Sequence, residues 1–358
     1  MNRLTAKRIG VLLSALFIFS SLTFSQFDNV DFLRSLPDDG TKYLKAYISP
    51  WVNAFGSGLN GGWYNTAKPH KFGGFDITTN FSVVMVPESA GTFDLSKIGL
   101  SANMTGTGTA STISGPNKSG PAITVKDKTT GYTLASFNAA PGTNWKIIPV
   151  PSAQIGIGLP FGTEIKGRFI PKINIKDGDI SLWGVGLLHS IMQYFPGNKL
   201  LPFDASLFGG YTKLTGNVPI NMQPGTPVNY SPAVSFNNQN LNINVTALNI
   251  SAIASLNIPV LTLYGGLGYS KTKTTMEFTG NFPTPTLVTP TLPALPYSEY
   301  NNTGVITGNK FPSMNIENFS GLRANIGLRI KLAVITIHAD YTKAQYNVFS
   351  TGLGISFR

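Results

Sequence analysis

The sequence predicts an all-β fold, a closed antiparallel transmembrane β-barrel of ten to fourteen strands with an N-terminal, partly helical plug segment. Three observations carry that expectation: an apolar period of two, strand lengths near those of a tilted membrane strand, and connections short on one rim and long on the other. The terminal segment Tyr346–Arg358 shows the period most simply. Phe349, Thr351, Leu353, Ile355 and Phe357 share one parity, and Val348, Ser350, Gly352, Gly354, Ser356 and Arg358 the other. Leu322, Ala324, Ile326, Leu328 and Ile330 likewise alternate with Arg323, Asn325, Gly327, Arg329 and Lys331. A helix would spread those charges around its circumference, whereas a strand gathers them on one face.

Taken in order, the candidate strands are 75–87, 152–159, 163–172, 179–193, 202–213, 240–256, 258–272, 317–331, 333–344 and 349–357. Many approach the roughly 9 to 11 residues of a tilted membrane strand, while soluble sandwich strands average about 5 or 6. Phe203 and Tyr211, like Phe349 and Phe357, stand eight residues apart on one face. Tilted by about 40°, that spacing rises roughly 20 Å, close to the ~25 Å apolar band bordered by aromatic girdles in outer-membrane barrels. With the last strand ending on the periplasmic side, the connections at 194–201, 257 and 332 are short and periplasmic. The loops 88–151, 214–239 and 273–316 are long and external, with the turn at 345–348 as the exception. Within the first loop, 103–120 reads as a mobile Gly/Ser/Thr stretch, and 121–137 as a hairpin able to add two wall strands. The Pro-rich part of 273–316 reads as an extended external loop.

Composition agrees. Charged residues make up 12% of the 358, against about a quarter in soluble domains, and 38 glycines with many Asn, Ser and Thr supply the polarity instead. Cysteine is absent, which removes disulfides, thiolate metal ligands and lipidated cysteine. Of the positive charges behind the net +11, Arg3, Lys7 and Arg8 cluster at the start and the remaining Lys and Arg are scattered singly, without a basic stripe or a nucleic-acid-binding motif, so nucleic acid is not an expected partner. Arg3, Lys7 and Arg8 precede the apolar run Ile9–Phe19 and the small-residue region around Ser25, so residues 1–25 read as a cleaved signal peptide. Residues 26–72 then form the plug, with helix-compatible patches at 27–36 and 41–55, placed in the lumen or at the periplasmic mouth. Residues 73–358 form the barrel.

No nucleophile elbow, phosphate loop or metal-ligand spacing is present, so the sequence offers no catalytic residue, cofactor or metal site. The candidate plug and ligand contacts are Trp51, Trp63, Tyr64, Asn65 and His70. A lumen charge network is expected from Glu164, Lys166, Arg168, Arg323, Arg329, Lys331, His338 and Asp340, because charges on the lipid face cost a few kcal/mol each near the midplane.

Gly61-Gly62-Trp63-Tyr64-Asn65-Thr66-Ala67-Lys68-Pro69-His70-Lys71, Leu159–Phe169 and the terminal segment resemble a family of uncharacterised outer-membrane β-barrels from Gram-negative bacteria. Trp63-Tyr64-Asn65-Thr66-Ala67 is distantly similar to the aromatic-Tyr-Asn-Pro-Ala segment in the N-terminal hatch of the long-chain fatty-acid transporter (FadL-like) family, with Thr where that family has Pro. The resemblance implies the outer membrane as location, lipid as partner, and recognition of Phe357 by the barrel-assembly machinery. Together these readings lead to an expected monomeric, non-enzymatic barrel, a passive channel or uptake transporter for small apolar or amphipathic solutes. The alternative is a structural or surface-interaction barrel without transport.

Overall fold

Ten strands close a barrel in chain order, every neighbour antiparallel and the first strand sealing against the last. A computed structural model describes residues 37–128, 130–175, 178–196, 202–223, 235–287, 300–307 and 310–357. The expected signal peptide and the helical patch at 27–36 lie outside the described residues, as do most of the 194–201 turn and Arg358. The wall strands are β1 (Phe75–Met85), β2 (Ile147–Leu159), β3 (Thr163–Ile175), β4 (Gly178–Ser190) and β5 (Phe203–Ile220). They continue with β6 (Gln239–Asn257), β7 (Leu261–Thr279), β8 (Met314–Leu332), β9 (Ile335–Lys343) and β10 (Asn347–Phe357). Each expected strand is present.

The period of two is the cause. Along β10 burial alternates without a break, with Phe349, Leu353, Ile355 and Phe357 outside and Val348, Ser350, Gly352, Gly354 and Ser356 inside. Leu322 is 83% exposed and Leu267 70%, among a continuous exterior of Leu, Ile, Val and aromatic side chains. Such a surface is unfavourable in water, and closure leaves no sheet edge, so the wall is built for lipid. No described helix is long and apolar enough to cross a membrane.

Strand lengths divide the barrel into a tall side and a short side. Strands β5 to β8 have 18, 19, 19 and 19 residues, whereas β9, β10 and β1 have 9, 11 and 11. The tall strands extend outward beyond the sequence-expected ends, so residues 214–220, 239, 273–279 and 314–316, at the borders of the expected loops 214–239 and 273–316, are wall. Apolar alternation hides this extension, because there the inward parity is the apolar one: Leu214, Val218, Leu241, Val245, Met276 and Met314 are all buried inside. A second short outer connection joins β3 to β4, where Ile175 pairs with Gly178.

Two expectations about the outer loops are overturned. The 121–137 hairpin does not enter the wall; Ala122–Lys126 and Thr133–Asn138 join Met104–Gly106 in a separate three-stranded sheet. The stretch 103–120 is packed rather than mobile, since Met104, Ala110 and Ile113 are buried and the Ile113 amide donates to Tyr47 O at 2.9 Å. In the Pro-rich outer loop, residues 281–287 and 300–307 run extended and pair as a hairpin.

The helix α1 (Pro37–Leu59) explains why the first loop is ordered. Pro37 and two acidic residues suit a helix start, and Asp39 accepts the Ser101 amide at 2.9 Å. Tyr47 Oη donates to Pro141 O and the Ala140 amide to Tyr43 Oη, at 2.9 and 2.8 Å. One apolar cluster joins Tyr43, Leu44, Tyr47, Ile48 and Trp51 of the helix to Leu95, Met104, Ile113 and Ile123 of the loop and to the inward side chains of the tall strands. Burial pushes the Tyr43 phenol up to about 12, and that of Tyr47 higher still.

Because β1 starts beside Phe357 and ends where the loop 86–146 begins, that loop lies on the rim opposite the C-terminus. The helix therefore starts at the outer mouth and descends. Its end, at Gly58, faces Val84 and Val150, just below the outer ends of β1 and β2.

Candidate functional site

Below the helix the chain runs on as residues 60–74, without regular structure, through the inner half of the barrel to the start of β1. Here the inward parity of the wall turns polar: Asp76, Thr78, Asn80, Gln154, Glu164, Lys166, Arg168, Ser255, Arg329, Thr336, His338 and Ser356 are all buried. An irregular backbone carries amides and carbonyls that must find partners out of water, and this lining supplies them.

Two guanidinium groups hold the top of the segment. Arg168 donates to Leu59 O at 3.0 Å and Gly61 O at 2.7 Å, and through Nε to Gln154 Oε1 at 3.1 Å. Arg323 donates to Asn60 O at 2.8 Å. Leu59 O ends helix α1, where the partial negative charge of the helix gathers, and Asn60 O and Gly61 O follow directly, so the cations are satisfied by backbone carbonyl dipoles instead of carboxylates. The Arg168 guanidinium also lies 3.8 Å from the Trp63 ring centroid, a cation–π contact.

The middle is aromatic. Trp63, Tyr64 and Ala67 pack with Leu188, Phe208, Ile253 and Tyr264, the Trp63 and Tyr64 rings lying 5.5 and 5.3 Å from that of Phe208. Gly186 and Gly210 make this possible, because a Cβ at either would stand about 3 Å from Phe208 or Trp63. Gln154 Nε2 donates to Trp63 O at 3.1 Å and Tyr64 Oη to Asn325 Oδ1 at 2.7 Å. The Ala67 amide donates to Ser255 Oγ at 3.0 Å, and Ser206 Oγ donates to Ala67 O.

At the inner end His70 is the fastening. Its backbone amide and Nδ1 both lie 2.9 Å from Glu164 Oε2, and its Nε2 lies 3.0 Å from Ser356 Oγ. Lys166 pairs closely with Glu164 and reaches Asp76 Oδ1 at 3.7 Å. His70, Asp76 and Glu164 could together offer a cation three ligand atoms within 4.8 Å of one another. The Lys166 ammonium already stands between the two carboxylates and supplies the positive charge a metal would bring.

The sequence-expected lumen residues separate into groups. Glu164 and Lys166 join His70 at the inner end, where Arg329 and Lys331 each reach Ser356 Oγ at 3.3 Å. Arg168 and Arg323 hold the helix end instead of pairing with acids, which departs from a single ionic network. His338 and Asp340 share a strand face without bonding each other: Asp340 accepts Tyr264 Oη at 3.1 Å, and His338 Nδ1 lies 3.4 Å from Asn65 Nδ2. Trp51 sits apart, in the outer apolar cluster. Sequence reasoning passed over Asp76, Gln154, Ser206, Ser255, Asn325 and Ser356. All lie on the inward parity, and that parity is the one signal that could have found them.

Comparison with solved structures returns other barrels. The outer-membrane protease OmpT from Escherichia coli aligns at 9% identity over 79% of this chain and 97% of its own, with a TM-score of 0.33. Ail, the attachment invasion locus protein of Yersinia pestis, aligns at 9% over 79% and 97%, at 0.25. The toluene transporter TbuX of Ralstonia pickettii aligns at 8% over 85% and 97%, at 0.18. At such scores the likeness assigns no activity. Among curated protein sequences nothing matches. A family model does match, over residues 4–357, and the chain belongs to that family, described as a family of unknown function, DUF6588.

Proposed function

We propose that the protein is an outer-membrane barrel closed by its own N-terminal segment, which presents a rigid outer head for surface interaction. One observation carries this reading: the wall spends Arg168, Arg323, Gln154, Ser206, Ser255 and Glu164 on fixing the backbone of residues 59–70. A conduit needs a lining that faces solute, whereas these groups face the plug. The outer half supports the same reading, since helix α1, the loop 86–146 and the tall strands share one apolar core. Planar-bilayer conductance tests it. A purified barrel that stays silent, and gains conductance when residues 26–72 are deleted, fits a scaffold sealed by its plug. Steady conductance in the intact chain overturns it.

A second reading is a gated uptake channel for small apolar or amphipathic solutes. It is favoured by the irregular backbone of 60–70, which is joined to the wall by side-chain bonds rather than by sheet and so can move without opening the barrel. The similarity of Trp63–Ala67 to the FadL-like hatch points the same way. Solute-dependent exposure of Trp63 would support it.

A further inference from the structure

The wall carries the pattern Tyr-(Thr or Ser)-Lys on three strands: Tyr211-Thr212-Lys213 in β5, Tyr269-Ser270-Lys271 in β7 and Tyr341-Thr342-Lys343 in β9. In each, the middle residue points inward and is buried, so the tyrosine and the lysine share the outer face. All three strands run outward here, which places each ammonium one pleat, about 5 Å, beyond its phenol. Trp183, 5.6 Å from Tyr211, and the exposed Phe349 extend the aromatic row. Tyrosine at a membrane border marks the edge of the hydrocarbon. Lysine one pleat further therefore lies at headgroup level. Among the described residues no carboxylate pairs with Lys213, Lys271 or Lys343.

A step in the wall adds an apolar half to one of these positions. Strand β8 pairs with β9 only as far as Ala324 opposite Lys343, while on its other side it continues against β7 out to Met314. Where β9 ends, a crevice of about 470 Å³ opens between Leu267, Leu322, Ala324 and Lys343, with Gly268 leaving room. Leu267 and Leu322 are exposed on its lipid side, and Lys343 stands across from Ala324 where β9 ends.

We propose that this crevice and the three lysines bind an outer-leaflet lipid whose headgroup carries phosphomonoesters, one acyl chain lying along Leu267 and Leu322 and a phosphate on Lys343. The charge is complementary, the crevice sets exposed leucines beside an ammonium as a lipid's tail and head require, and a dianionic phosphate makes more of an ammonium than a zwitterion does.

Native mass spectrometry of the full chain tests the site, using micelles loaded with bisphosphorylated lipid A or with the same glycolipid stripped of phosphate. The wild-type protein should retain the phosphorylated form at least fivefold better. Lys343→Gln should lower retention about fivefold, the effect of one lysine at an anionic surface, and the triple glutamine variant should lower it further. Lys97→Gln, in the outer loop, should change nothing. Equal retention of both glycolipids by the wild type overturns the proposal, a result independent of how any variant folds. So does full retention by a triple variant whose heat-modifiable gel mobility shows an intact barrel. A dimer that Lys343→Gln dissociates would assign the crevice to a second copy of the chain and overturn it equally.

Discussion

Replacing Arg168 by methionine keeps most of the side-chain volume and removes the guanidinium that holds the end of helix α1. Leu59 O and Gly61 O lose donors at 3.0 and 2.7 Å in a site closed to water. Each stranded acceptor costs about 1 to 3 kcal/mol, and the lost contact with Trp63 roughly 0.5 to 2. Removing a buried cation returns part of that, because its own desolvation no longer has to be offset. The net weakening of the plug is about 2 to 4 kcal/mol, which at 1.4 kcal/mol per decade raises its opening roughly 30- to 1,000-fold. Hydrogen exchange reads this directly. The Ala67 and His70 amides, held by Ser255 and Glu164, should exchange faster by that factor while the amides of β5 to β7 keep their protection. Unchanged exchange at both amides would refute the idea that the helix end is the clamp. Uniform loss through the wall would refute the separation of plug from barrel.

Glu164→Gln leaves the buried Lys166 with only Asp76 at 3.7 Å and should cost about 3 to 5 kcal/mol, seen as a lower temperature for the folded-to-unfolded mobility shift on gels. Leu353→Arg puts a cation on the lipid face near mid-strand and should lower folding efficiency into vesicles by about 2 to 4 kcal/mol; the same change at an inward glycine would act through clash instead. Alkali should loosen the outer head first. The Tyr43 phenol stays protonated in the folded head up to about 12, against about 10 unfolded, so its stabilisation is complete below about pH 10 and is lost as pH rises from there to about 12. Near-ultraviolet circular dichroism should lose its tyrosine signal in that window while far-ultraviolet strand signal persists. Simultaneous loss of both would contradict a separable head.

The ten candidate strands, their parity and their lipid face were legible because one solvent acts along the whole outer surface and side chains alternate every residue. Leu322, Ile326 and Leu353 announce that solvent in any window of nine residues. The plug's aromatic residues were legible as a cluster, Trp63 and Tyr64 beside glycines, because that many rings on a short segment must be buried somewhere. Which wall groups meet them was not. Gln154, Ser255 and Ser356 look like any other small polar residue on an inward face, and only barrel closure brings them to Trp63, Ala67 and His70.

A period of two needs no partner to be read, so strand parity and the lipid-facing residues stand in the chain itself, whereas the count within ten to fourteen and the outward reach of β5 to β8 do not. Tertiary structure alone decided that the inward face is apolar above and polar below. It also decided that Arg168 and Arg323 answer backbone carbonyls at and just past the helix end rather than acids, and that 103–137 folds onto helix α1. Each depends on residues 94 to 263 positions apart, whose proximity is set by shear, strand length and closure and leaves no local pattern in the chain.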